Sequence, residues 1–218
     1  LSCENAYHPL IENAVANSIT AGRPVLVTGS NASGKSTFLK TLGINALLAQ
    51  TLYTAAADRY EGSFFRNYSS MALTDDLESG ESYYMAEIRS LKRILDAISG
   101  DRPPVLCFID EVLRGTNTVE RIAASTKLLE SLEGRPALCF AATHDIELTA
   151  LLEGIYDNYH FEEQIEENDV IFSYRLYPGR ASTRNAIRLL SIMGYDERII
   201  REAEDMAERF VQTGEWTL

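Results

Sequence analysis

No apolar run in this 218-residue sequence approaches the roughly 20 residues that a membrane-spanning helix needs, so no membrane segment is expected. The amino end, Leu1-Ser2-Cys3-Glu4, lacks both an initiator methionine and the basic-then-apolar pattern of a secretion signal, and the chain is read as a piece of something longer. Proline is scarce, at six residues, and low-complexity stretches are absent. With 45% hydrophobic and 24% charged residues, a disordered chain is excluded. The three cysteines, Cys3, Cys107 and Cys139, have no metal-ligand spacing, and two lie in apolar runs where a thiol acts as a small hydrophobe. A reducing, cytoplasmic setting follows. A basic excess is also missing. The formal net charge is −12, whereas a surface that grips nucleic acid unaided carries positive charge to neutralise phosphates. Any hold on DNA is expected to lie mostly outside this chain.

What is present reads as one domain over 1–218. Pro24 to Thr28, Val105 to Ile109 and Ala137 to Ala142 are short, nearly continuous apolar runs, as strands buried on both faces of a parallel sheet would be. Helical periodicity separates them. Lys35 to Leu52 repeats apolar residues at Phe38, Leu39, Leu42, Ala46 and Ala49, Met85 to Ile98 does so at Ile88, Leu91 and Leu95, and Thr118 to Leu132 at Ile122, Leu128 and Leu129. Strands alternating with such helices predict an α/β fold with a mainly parallel central sheet flanked by helices. Val170 to Leu176 alternates as an additional edge strand, and the acidic run Glu162 to Glu167 before it reads as a solvated turn. Tyr195-Asp196 introduces a last helix, 196–212, whose stripe Ile199, Ala203, Met206 and Phe210 fits core packing better than a dimer seam, with both retained.

Gly29-Ser30-Asn31-Ala32-Ser33-Gly34-Lys35-Ser36 fits G-x-x-x-x-G-K-[ST] between a buried strand and an amphipathic helix. Glycines at those positions let backbone N–H groups turn toward phosphate oxygens, and the helix N-terminus adds its positive dipole end. Lys35 would reach the β- and γ-phosphates of a nucleotide and Ser36 would bind Mg²⁺. The strand ending in Asp110-Glu111 supplies two carboxylates: Asp110 for the metal through water, Glu111 to orient and deprotonate an attacking water. Without a ligand, Glu111 would read as a helix-capping acid. His144 closes the third strand, where it could contact a γ-phosphate or the water; His8 and His160 are left as structural.

These residues resemble the C-terminal ATPase domain of the MutS family over nearly the whole chain. The likeness runs through Tyr7-His8-Pro9, Val15-Ala16-Asn17, Thr28 to Thr37, Asp75 to Ser82, Asp110 to Asn117, Ala142 to Thr149 and Tyr174-Arg175-Leu176. The Asp-Glu-x-x-Arg-Gly-Thr and Thr-His-x-x-Glu-Leu-Thr strings are specific to it; generic ATP-binding-cassette proteins share the logic but not those strings. The resemblance implies a P-loop nucleotide hydrolase of the ABC-type ATPase class, using ATP and Mg²⁺ and working as a homodimer with composite sites. It implies that Ser79, Gly80 and Ser82 approach the nucleotide of the opposite subunit, for which a helix cap is the plainer reading. It implies an adenine pocket from Val15, Asn17 and a ring at Tyr174, and a γ-phosphate or water contact from Asn31; Thr37 completes the loop side. DNA would be reached through other domains of the full-length protein.

Several positions depart from the common repair-protein pattern. Ser30 and Ala32-Ser33 stand where Pro and Met-Gly are usual, Tyr83-Tyr84 replaces Thr-Phe, Leu113 replaces Gly, and Asn185-Ala186-Ile187 replaces a Tyr-Gly-hydrophobic string. None removes a catalytic group, and together they suggest a divergent branch. The leading expectation is a nucleotide-driven dimer switch in DNA mismatch repair or other DNA processing, slow in hydrolysis as an isolated domain. The alternatives are a nucleotide-gated dimerisation module with little turnover, and the ATPase subunit of another ABC-type complex.

Overall fold

The computed structural model describes residues 1–71, 83–98, 103–166, 169–181 and 186–215. The elements in chain order are β1 (Ser2–Ala6), β2 (Asn17–Thr20), β3 (Val25–Thr28), α1 (Lys35–Leu52), β4 (Arg59–Glu61), β5 (Arg66–Ser70), α2 (Tyr83–Ala97) and β6 (Val105–Asp110). They continue with α3 (Thr118–Glu130), β7 (Ala137–Ala142), α4 (Ile146–Leu151), β8 (Asp157–Glu166), β9 (Asp169–Pro178), α5 (Ala186–Ile192) and α6 (Glu197–Thr213). The main sheet has the order β5-β6-β7-β3-β8-β9; all its pairings are parallel except that of the edge strand β9, which runs antiparallel to β8. A small antiparallel sheet, β2-β1-β4, forms a second hydrogen-bonded ladder.

The period of two along the central strands divides the core. Leu106, Phe108, Phe140, Val25 and Val27 face one way and pack with α1 and the small sheet, while Cys107, Ile109, Cys139, Ala141 and Leu26 face the other, among Leu91 and Ile94 of α2, Leu129 of α3 and Leu148 of α4. Each large apolar side chain buried in this way stabilises the fold by about 1.5–3 kcal/mol relative to exposure. Both faces being covered is why these strands are almost wholly apolar. The buried thiol of Cys3 has its pKa pushed up to about 11, consistent with an inert packing role.

Register then places the chemistry. Val27 and Asp110 both pair with Ala142, so β3, β6 and β7 end in one row. The ladder continues one step further, with Thr143 N–H donating to Val27 O and Glu111 N–H to Ala142 O, each at 3.0 Å. Three loops therefore leave from one edge, where parallel sheets present their ligand sites.

Two expectations change. Glu162 to Glu166 belong to strand β8, not to a solvated turn, because Glu162 meets buried His160 and Glu163 meets Ser30. The stripe of α6 does not enter the core: Ile199 is exposed and Ala203, Met206 and Phe210 are only partly buried. α6 packs on α5, which in turn packs on β9, and seven-residue α5 is too short to cover the seventeen residues of α6. Asp196 caps α6, accepting from Arg198 N–H at 2.8 Å.

Candidate functional site

The loop after β3 bends through the left-handed region at Gly29 (φ 140°), Ala32 (φ 63°) and Gly34 (φ 111°). Gly29 is required twice over, since a Cβ there would lie 2.8 Å from Phe161 O and 2.9 Å from Ser33 Oγ. α1 starts at Lys35 with no side-chain cap and no acidic residue in its first turn, so its leading N–H groups remain open to an anion. Ser36 and Thr37 lie in that first turn. Lys35 is only 5% exposed, and its Nζ donates to Gly29 O at 2.8 Å and Ser30 O at 2.7 Å. Burial lowers its pKa to about 8, opposed by the negative charges of Glu111, Asp110 and Glu163. Ser30 Oγ donates to Glu163 Oε2 at 2.9 Å, and Ser33 Oγ is buried without a partner among the described residues.

Across the loop stand the ends of β6 and β7. Asp110 Oδ1 is buried and has no hydrogen-bond partner among the described residues, an unmet acceptor at the strand end. Glu111 is held at both oxygens, Oε1 by His144 Nε2 at 3.0 Å and Oε2 by Arg114 Nε at 3.0 Å. The His144 hydrogen bond leads in holding the Glu111 carboxyl below its ordinary range, against the opposing effect of burial. Asp145, next to His144, is fixed by a bidentate pair with Arg121 of α3 at 2.7 and 2.6 Å, and its N–H donates to Thr143 Oγ1 at 3.0 Å. A cavity of about 210 Å³ lies here, lined by Asn31, Glu111, Val112, Arg114, Arg121, Thr143, His144 and Asp145.

A second recess, about 320 Å³, opens on the other side of Gly34 and is lined by Val15, Asn17, Thr37, Phe161, Tyr174 and also His8. Tyr174 is 45% exposed and sits at φ 52°, where the β8–β9 register slips between Phe161 and Glu163. Asn17 braces it, donating to Tyr174 O at 2.9 Å and accepting from Leu176 N–H at 2.7 Å. That strain, held by a cross-sheet amide, presents the ring beside Phe172, with which it stacks at 6.0 Å. Asn17 thus spends its amide on β9 backbone and positions Tyr174. A larger recess, about 680 Å³, lies beside Tyr53, Tyr60 and Phe64 and is lined by none of the candidate site residues.

The structure therefore brings Asn31, Lys35, Asp110, Glu111 and His144 to one edge and places Val15, Asn17, Thr37 and Tyr174 around the neighbouring recess. Ser79, Gly80 and Ser82 lie outside the described residues. His8, Glu163 and the Arg121–Asp145 pair were not singled out as site residues from the sequence; His8 and Asp145 lie in the strings Tyr7-His8-Pro9 and Ala142 to Thr149, while Glu163 and Arg121 carried no signal. Among the described residues no group of three or more His, Cys, Asp or Glu side chains could hold a metal alone. The unpartnered oxygen of Asp110 and the hydroxyl of Ser36 are the hard oxygen donors that would suit Mg²⁺, were one held here with phosphate and water.

Fold and site define a helix-flanked α/β domain, its central sheet mixed and mostly parallel, with a glycine-containing loop leading into an uncapped helix N-terminus and an acidic pair at the carboxyl edge. The chain belongs to the MutS family: residues 25–211 match MutS domain V. It is 34% identical over 201 residues to the DNA mismatch repair protein MutS of Thermus thermophilus, covering 90% of this chain and 24% of that protein. It is 31% identical over 216 residues to the DNA mismatch repair protein MutS of Thermus aquaticus, covering 97% and 26%. Against DNA mismatch repair protein MutS 2 of Haloarcula marismortui the identity is 32% over 185 residues, covering 83% and 19%. The chain spans about a quarter of the length of the curated relatives it matches. No described helix is long and apolar enough to cross a membrane.

Proposed function

We infer that this chain binds ATP with Mg²⁺ and hydrolyses it, as a P-loop domain of the ABC-type ATPase class whose nucleotide state drives a dimer switch. The observation that carries the reading is buried Lys35, the first residue of an uncapped helix, whose ammonium bonds Gly29 O and Ser30 O and feels the charges of Glu111 and Asp110. Loop amides and Lys35 receive the β- and γ-phosphates. Ser36 and Asp110 hold Mg²⁺, which supplies charge neutralisation on the phosphate oxygens when bound. The recess beside Tyr174, with Val15 at its wall, takes the adenine ring.

In the reaction, water forms a bond to the γ-phosphorus, the bond to the bridging oxygen breaks, and ADP and phosphate leave with the water's proton on phosphate. Glu111 accepts a hydrogen bond from that water and aims it. Its lowered pKa makes it a better orienting acceptor than proton store, and His144 and Arg114 fix its two oxygens. Asn31, on the wall of the same cavity, contacts the γ-phosphate or the water. On the resemblance, Ser79, Gly80 and Ser82 of a second copy complete each site. The relatives' names support a place in DNA mismatch repair, with DNA held by other parts of the whole protein.

A second reading, a nucleotide-gated dimerisation module with little turnover, is favoured by one observation: both oxygens of Glu111 are already engaged. Phosphate release by wild type, Lys35→Ala and Glu111→Gln, at concentrations that permit dimers, separates the two. The ATPase reading expects turnover in wild type alone. Wild-type nucleotide binding without turnover, with dimers formed on a non-hydrolysable ATP analogue in sedimentation, favours the module instead.

A further inference from the structure

The loop that follows β6 is bent in a way side chains resist. Glu111 has φ 61° and, two residues on, Leu113 has φ 56°. Such conformations are strained for residues with a Cβ and persist only where the surroundings over-determine them. α2 provides those surroundings. Glu87, 2% exposed, accepts the Arg114 N–H on Oε1 at 3.3 Å, and the N–H groups of Leu113 and Gly115 face the same carboxylate. One turn earlier, Tyr84 closes on Gly115, where a Cβ would lie 2.8 Å from Tyr84 Cβ. The side chain of Arg114 then reaches Glu111 Oε2 at 3.0 Å.

A carboxylate is a costly choice for this position. No cation pairs with Glu87 among the described residues, and its Oε2 is buried without a donor at hydrogen-bonding geometry. Burial raises its pKa, and the three backbone amides act against that rise. A residue needed only to fill space would be apolar and avoid the desolvation penalty. The arrangement instead aims an acceptor at three successive amides of the loop that begins with Glu111.

We propose that Glu87 is a positioning residue: it clamps the backbone of Leu113 to Gly115 onto α2 and thereby fixes, through Arg114, the Glu111 carboxylate that orients water. The proposal rests on the ATPase reading for its effect on turnover but not for the clamp itself. Amide hydrogen exchange across 111–116 reads the clamp directly, and steady-state phosphate release with ATP-analogue binding reads its consequence.

In Glu87→Ala, exchange at 113–115 quickens and kcat falls by roughly 10²-fold, the scale of an ångström-sized misplacement, while analogue affinity stays within about threefold. Glu87→Gln keeps one acceptor oxygen and restores much of both. Unchanged exchange at 113–115 in both variants overturns the proposal, as does quickened exchange with unchanged kcat, or a loss of affinity equal to the loss of kcat. Should Glu87→Ala fail to fold, Glu87→Gln alone must show intermediate exchange and kcat, and wild-type values for both would overturn it. Wild-type turnover that survives Glu111→Gln refutes the ATPase assignment of Glu111 and with it the catalytic half of the proposal; the exchange result then decides the clamp.

Discussion

If Lys35 receives phosphate as proposed, its lowered pKa makes nucleotide affinity depend on pH in a definite direction. Burial brings the ammonium from its ordinary 10.5 to about 8, and the three nearby carboxylates only partly offset that loss. If only the protonated amine receives phosphate, the competent fraction of free protein is about 0.9 at pH 7 and about 0.1 at pH 9, so the apparent affinity falls about tenfold. Folding stability moves oppositely. The folded chain binds fewer protons than the unfolded chain between about pH 8 and 10.5, so the penalty from this group is full below pH 8 and fades as pH rises through that window. Calorimetric titration of a non-hydrolysable ATP analogue at pH 7, 8 and 9, with Mg²⁺ held constant, measures the effect. Lys35→Arg stays charged throughout and should bind with a flat profile. Wild-type affinity that does not change, or a parallel fall in Lys35→Arg, would show that Lys35 titration does not control binding.

Three further outcomes follow from the same geometry. Tyr174→Ala should weaken ATP-analogue binding by about 1–3 kcal/mol, as loss of a base-stacking ring does, while Tyr174→Phe stays close to wild type in the same titration. Gly29→Ala must place a methyl 2.8 Å from Phe161 O at φ 140°; thermal melting should report a loss of about 1–3 kcal/mol, and analogue binding should fail. Arg121→Ala strips the bidentate partner from Asp145, whose side chain is 10% exposed, and should cost about 3 kcal/mol in denaturant unfolding. The double variant with Asp145→Ala should cost less than the sum of the two single changes, and additivity would show that the pair is uncoupled.

How much was legible in the sequence depended on whether a residue's partner lay nearby in the chain. β3, β6 and β7 could be read because burial on both faces demands unbroken apolar runs, and α1, α2 and α3 because one buried stripe recurs at helical spacing. The small sheet could not. SCENA, NSIT and RYE are too short and too polar to alternate, and they form strands only against one another. β8 was hidden by its acids, whose partners Ser30 and His160 become visible only in the fold. The phosphate-type loop and the Asp110-Glu111 pair announced themselves by spacing and by the strands before them. Glu87 and Arg121 act on residues 27 and 24 positions away, and no local pattern marks such pairs. α6 misled because a strong stripe predicts burial without naming the surface that covers it.

In the proposed reaction Glu111 aims the water that cleaves a nucleotide held by Gly29 to Ser36. Rapid quench of protein loaded with radiolabelled ATP, wild type beside Glu111→Gln, tests it in a single turnover. Both should bind, wild type should yield bound ADP, and Glu111→Gln should retain ATP; ADP formed by Glu111→Gln at the wild-type rate would show that Glu111 does not aim the water.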